Sequence, residues 1–160
     1  MSYVGSGEVS GLVLPADAVA SVRIRLSTAR FVAPGSVTAG RYGLFHYDMD
    51  PRAVGPGAHF HRTFSEAFYV LSGSIRLYNG ATWTDGRAGD FLYVPEGGVH
   101  AFRNETDEPA SMLILFAPGP PREAFFTELA EISASGRTLS PEEWTELYAR
   151  HDQVMIPSCP

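Results

Sequence analysis

Cysteine is the scarcest reactive residue here: one in 160, Cys159, second from the C-terminal end. A lone cysteine excludes an internal disulfide and fits a reducing cytosol. So close to the chain end it reads as a loose thiol rather than a nucleophile. Basic runs are missing as well, and the formal net charge is −6. Nucleic acid and anionic membrane are therefore not expected partners. No apolar run approaches the roughly 20 residues that cross a bilayer. The opening MSYVGSGEVSG lacks the charged-then-apolar order of a secretory leader, so a cytoplasmic location is expected. Repeats and low-complexity segments are also lacking.

What is present is an ordinary globular composition. The apolar fraction is 44%, and 160 residues suffice for one domain with a sizeable core. The chemistry gathers in one stretch, His59 to Asn104. Its first half, GPGAHFHRTFSEAFYVLSG (Gly55 to Gly73), offers His59, His61 and Glu66; its second, GDFLYVPEGGVHAFRN (Gly89 to Asn104), offers His100. Three imidazoles and one carboxylate suit a first-row divalent metal. On a strand, His59 and His61 share a face, about 6–7 Å apart. Glu66 lies at an odd offset from His61, so the chain must turn between them, and Arg62-Thr63-Phe64-Ser65 provides that break. Pro95 to Val99 forms a rigid turn that delivers His100.

These residues resemble the two motifs of the cupin superfamily. The first, HxH, four residues, Glu, six residues, Gly, is met by His59, His61, Glu66 and Gly73. The second, Gly, five residues, Pro-x-Gly, two residues, His, three residues, Asn, is met by Gly89, Pro95, Gly97, His100 and Asn104. One departure is Ala53, where the family pattern has glycine; Gly55 and Gly57 lie nearby. The resemblance implies an all-β antiparallel jelly-roll barrel whose metal ligands are His59, His61, Glu66 and His100. His46 and His151 do not fit the pattern and read as ordinary residues.

The chain order agrees with many short strands separated by turns. Residues 1–19 read as an N-terminal arm with one short strand at Val9–Leu14, of a kind that pairs with a sheet edge. Residues 20–117 read as the barrel. Within it, strands are expected at Ala20–Leu26, Arg41–Met49, Glu66–Leu71, Ser74–Tyr78, Ala81–Thr84, Phe91–Val94, His100–Arg103 and Ala110–Phe116. Val32 to Gly35, Asn79-Gly80 and Asp85-Gly86 read as turns. Residues 118–160 read as a short helical appendage packed on the barrel. Phe125, Phe126, Leu129 and Ile132 have helical spacing from Arg122 to Ser133. Ser140, Pro141 and Glu143 signal a second helix start, running to about His151, and Met155 to Pro160 a loose tail. The helices cover the barrel, form a dimer contact, or act as a lid. Removing residues 119–160 is expected to alter oligomeric state or solubility more than metal affinity. A homodimer is expected.

Three neutral imidazoles and one carboxylate leave a divalent ion a net charge of +1, with open positions if it is six-coordinate, a catalytic rather than a closed arrangement. The same ligands accept iron, manganese, nickel, copper, cobalt or zinc, one ion per chain. Parity turns Phe68 and Val70 inward with Glu66, and Phe102 with His100, while Phe60 points away. Phe68, Val70, Phe102 and Tyr47 are therefore the expected substrate-binding residues, and the substrate a small organic molecule, aromatic or enolic. Glu96 and Tyr47 are the weak candidates for an additional acid or base. The resemblance implies a dioxygenase-type oxidoreductase first. A non-redox isomerase, lyase or polyketide-type cyclase comes second, and a non-catalytic binder or sensor third.

Overall fold

Inward-facing apolar residues at every second position make the strands of this chain, and glycine, proline and asparagine separate them. A computed structural model describes residues 2–157. After a one-turn 3-10 helix, Ala16–Ala18, come β1 (Ser21–Ile24), β2 (Ser27–Ala33), β3 (Gly43–Met49), β4 (His59–Phe60), β5 (Ser65–Ser72), β6 (Ser74–Tyr78), β7 (Trp83–Arg87), β8 (Phe91–Val94), β9 (Ala101–Arg103) and β10 (Ala110–Ala117). Two helices, α1 (Arg122–Ser135) and α2 (Pro141–Arg150), and a last strand, β11 (Val154–Met155), follow.

The strands pair antiparallel in a six-stranded sheet ordered β1-β2-β3-β10-β5-β8, a three-stranded sheet ordered β7-β6-β9, and a ribbon of β11 and β4. Both larger sheets feed one core. In β10, Ala110, Met112, Ile114 and Phe116 are buried and alternate with partly exposed neighbours. Phe68 of one sheet meets Phe102 of the other with ring centroids 5.5 Å apart, and Tyr47 meets Phe102 edge-on at 5.6 Å. Each large apolar side chain buried this way contributes about 1.5–3 kcal/mol. This is the antiparallel jelly roll that the resemblance implies.

The helices complete the core. Phe126 of α1 lies 5.4 Å from Phe45 and 6.0 Å from Tyr47, so the α1 face closes one end of the roll. α2 begins with the expected capping box: the Ser140 hydroxyl accepts from Glu143 N, and Glu143 accepts from Ser140 N at 2.8 Å. Gly136 ends α1 in the left-handed conformation at φ 66°.

Several local expectations change. Val9–Leu14 forms no strand and is exposed chain. No strand is expected between Leu26 and the Val32–Gly35 turn, yet β2 runs there and takes in Val32 and Ala33, so the turn begins only at Pro34. The inward residues of β2 are Ser27 and Ala29, too small to make an apolar alternation visible. Asp85 and Gly86 lie inside β7 rather than in a turn: Gly86 pairs with Ile75, and a Cβ there would stand 2.9 Å from Leu77 Cδ1. The turn expected at Asn79-Gly80 forms and runs on through Ala81 and Thr82, residues expected in the returning strand: the Asn79 side-chain oxygen accepts from Ala81 N and Thr82 N. The tail is not loose at Met155, because β11 pairs with β4. Cys159 lies outside the described residues.

Candidate metal centre

Three strands and the turns beside them bring the four donors together. β4 carries His59, and His61 follows two residues on. Glu66 is the second residue of β5, after the chain turns through Arg62 to Phe64. His100 precedes β9 and forms an isolated bridge with His59: each backbone N–H donates to the other's carbonyl, at 3.1 and 2.9 Å. The two motifs are also joined at Gly97, whose N–H donates to His61 O at 2.7 Å from a φ of 78°. Upstream, Gly55 packs so closely that a Cβ would lie 1.9 Å from Phe102 O, so glycine is required at 55. Asn104, which ends the second motif, is buried and structural. Its amide donates to Asp50 O and Glu108 O, and its oxygen accepts from Thr106.

All four side chains are buried, and their ligand atoms lie within 4.8 Å of one another. Every imidazole has Nδ1 against a backbone carbonyl: His59 at Gly57 O (2.8 Å), His100 at Gly98 O (3.0 Å) and His61 at Asp152 O (2.6 Å). A carbonyl only accepts, so each Nδ1 carries the proton and each Nε2 is left for the centre. That is the tautomer a metal-bound histidine needs.

Nε2 of His61 and of His100 lie 3.0 and 2.8 Å from the same oxygen, Glu66 Oε2. Two donors at right angles, each about 2.0–2.2 Å from one ion, have about that separation. Such a close approach needs positive charge between nitrogen and oxygen: a proton, favoured on His100 because burial lowers its pKa but Glu66 outweighs burial and raises it, or a divalent ion in its place, which this donor set fits. Electrostatics prepares it. Burial, then the neighbouring His100, push His59 down to about 3, which keeps it neutral. Burial pushes Glu66 up, but His100 and His61 outweigh it and hold the carboxyl well below the usual carboxylate range.

The C-terminal segment reaches this centre. Asp152 orients His61 through its carbonyl. Its carboxylate accepts from Arg62 N, Thr63 N and the Thr63 hydroxyl at 2.7–3.1 Å. Met155 pairs with His59, and Ile156 N donates to Ala58 O at 2.9 Å. Arg122, at the start of α1, is only 4% exposed. Its guanidinium donates to His151 O and Gln153 Oε1 and lies 4.0 Å from the Phe125 ring centre. Burial lowers its pKa to about 10, so it stays charged at neutral pH.

The centre opens through His59 and Glu66 onto a cavity of about 500 Å³. Tyr47, Phe102, Arg122 and Gln153 share the wall near these donors. The rest is mostly α1, α2 and the loop between them. Of the expected substrate-binding residues, Tyr47 and Phe102 are on this wall, while Phe68 and Val70 are not. Both are inward and buried, but further along β5 than Glu66, and Phe68 packs against His100 at 5.7 Å. Burial raises the Tyr47 pKa, so it is a neutral phenol and not a ready base. Glu96 is exposed on its turn and does not reach the cavity wall. His46 pairs with Asp48 and His151 with Glu128, both apart from the centre.

Arg122, Asp152 and Gln153 are site residues that the motifs do not contain. Arg122 carried one signal, its place three and four residues before Phe125 and Phe126 on the inward face of a helix. Asp152 carried none, because its partners are about 90 residues away.

Residues 45–116 match the Cupin domain family. Over 78 residues the chain is 35% identical to quercetin 2,3-dioxygenase of Bacillus subtilis (strain 168), a stretch covering 46% of this chain and 21% of that enzyme. The chain therefore spans about a fifth of that relative's length. Among solved structures, KdgF from Halomonas sp. superposes with a TM-score of 0.62 at 16% identity, over 71% of this chain and 99% of that one. The polyketide cyclase RemF from Streptomyces resistomycificus superposes with a TM-score of 0.59 at 20% identity, over 68% and 80%. At these identities the structural likeness concerns the fold. No helix among the described residues is long and apolar enough to cross a membrane. The two motifs meet on paired backbone inside the stretch that matches the Cupin domain family, and the chain shares the jelly-roll fold of these structures.

Proposed function

We propose that this chain is a metal-dependent enzyme of the dioxygenase type, acting on a small aromatic or enolic molecule. The observation that carries this reading is the four-donor cluster opening onto an aromatic-walled cavity. His59, His61, Glu66 and His100 would hold one divalent ion, supplying Lewis acidity and, if redox-active, electron exchange with dioxygen. The protein's own residues bind and orient. Phe102, Phe125 and Phe126 exclude water and offer flat apolar contact. Tyr47, a neutral phenol, can donate a hydrogen bond. The identity with quercetin 2,3-dioxygenase supports this reaction class. Arg122 favours a second reading, a non-redox isomerase, lyase or polyketide-type cyclase: a fixed cation beside Glu66 steadies an enolate without any redox step.

The test is metal content by mass spectrometry on protein purified anaerobically without chelators, followed by oxygen uptake with flavonol and enol substrates. A redox-active ion near one per chain with substrate-dependent oxygen uptake is expected. Turnover without oxygen uptake would move the assignment to the second reading. Binding without turnover would make the chain a sensor, and failure to take up any ion would sink the metal assignment.

The proposal also divides the chain into the arm 1–19, the barrel 20–117 and the helical part 118–160, in a cytoplasmic setting. We propose a homodimer, supported by the outer face of β5 and β8. Tyr69, Leu71, Phe91 and Tyr93 are exposed there, and β8 is an open sheet edge.

A further inference from the structure

The charged groups on the cavity wall are unevenly signed. The chain carries a net charge of −6, and all 12 of its Lys and Arg residues are arginine. Three of them, Arg25, Arg122 and Arg137, line this one cavity. Among the described residues the only carboxylate on the wall is Glu66, itself a donor of the proposed metal centre. Arg137 is paired with Glu143. Arg25 is exposed and forms no ion pair among the described residues.

Arg122 is the more telling. Its two hydrogen-bond partners, a backbone carbonyl and the Gln153 amide oxygen, are both neutral, and its buried Nε has no partner among the described residues. A buried cation without a bonded anion is costly, and the aromatic rings around it offset that only in part. A guanidinium held with spare donors beside a cavity suits a carboxylate or enolate oxygen. Beyond this polar end the wall turns apolar, through Phe125, Phe126, Leu129, Ile132, Leu139 and Trp144.

From this we infer that the cavity takes an amphipathic organic anion. Its carboxylate or enolate lies between Arg122 and the four-donor centre, and its flat apolar body runs outward between α1 and α2 towards Trp144. Arg25 stands at the exposed side and draws the anion in. This rests on the proposed metal-enzyme reading and deepens it by naming the substrate's charge and polarity.

A matched pair of probes tests it: 2-naphthoate and 2-naphthamide, the same ring system with and without the charge. Each is titrated calorimetrically into metal-loaded protein, and again into metal-free protein. With the metal bound, the carboxylate should bind about tenfold or more tightly than the amide. Arg122→Gln should collapse that ratio towards one. Arg25→Gln, at an exposed position with little risk to folding, should lower naphthoate affinity several-fold and leave naphthamide unchanged. Trp144→Ala should weaken both probes alike. Equal or tighter binding of the amide, no binding of either probe at millimolar concentration, or an unchanged ratio in both arginine variants would each overturn the inference. Failure of the metal reading shows separately, as protein that takes up no ion whatever its preference between the probes.

Discussion

At the scale of single residues, each of three imidazoles is aimed by a hydrogen bond from Nδ1 to a carbonyl. Two of these carbonyls, Gly57 and Gly98, lie two residues before the histidine they orient. That repeated local geometry explains why the motif spacing alone locates His59 and His100. Replacing either by alanine should strip most of the metal and leave the jelly roll folded, read by metal content and circular dichroism. Full occupancy in both variants would remove them from the ligand set. The third carbonyl belongs to Asp152, whose carboxylate is pinned by the backbone of Arg62 and Thr63. Asp152→Ala should release that carbonyl and weaken metal binding by about 10- to 100-fold in a chelator competition, with the thermal midpoint little changed. Asp152→Asn keeps one acceptor oxygen and should recover part of the loss. Unchanged affinity in the alanine variant would leave Asp152 with a loop-holding role only.

At the scale of elements, β4 and β5 form where the motif requires them, and α2 starts where its capping box stands. Ser140→Ala removes the bond from Glu143 N and should cost about 1 kcal/mol, lowering the melting temperature by about 2–4 °C. The strand that escapes sequence reading is β11, because two residues are too few to show a period. It changes the expected effect of a truncation. Read from the sequence, losing the C-terminal region touches assembly or solubility more than the metal. In the structure, Asp152 and β11 brace the segment holding His59 and His61. Ending the chain after Arg150 keeps both helices and should still weaken metal binding measurably in the same competition. Wild-type affinity in that truncation would restore the sequence expectation.

At the scale of the molecule, the jelly roll buries one face of its larger sheet and leaves aromatic residues on the other. Phe91 is 63% exposed and Tyr93 57%, on the strand at the edge of the sheet. A second copy covering this face would bury both the rings and the edge. Light scattering should therefore give twice the monomer mass for the wild type, and the monomer mass for Phe91→Glu combined with Tyr93→Glu. Metal affinity should not change, because β8 contributes no donor. A monomeric wild type would end the dimer proposal.

The sequence by itself determined the resemblance to cupins, the sheet-rich architecture and the four candidate donors. Each of these depends on local stereochemistry: alternation along a strand, a turn of fixed length, a capping residue. Such rules act over a few residues and leave a spacing that can be counted. Only the tertiary structure decided that the cavity lies between the helices and the roll, away from Phe68 and Val70, and that Arg122, Asp152 and Gln153 border the centre. Those contacts join segments about 30 to 90 residues apart, and packing rather than periodicity selects them.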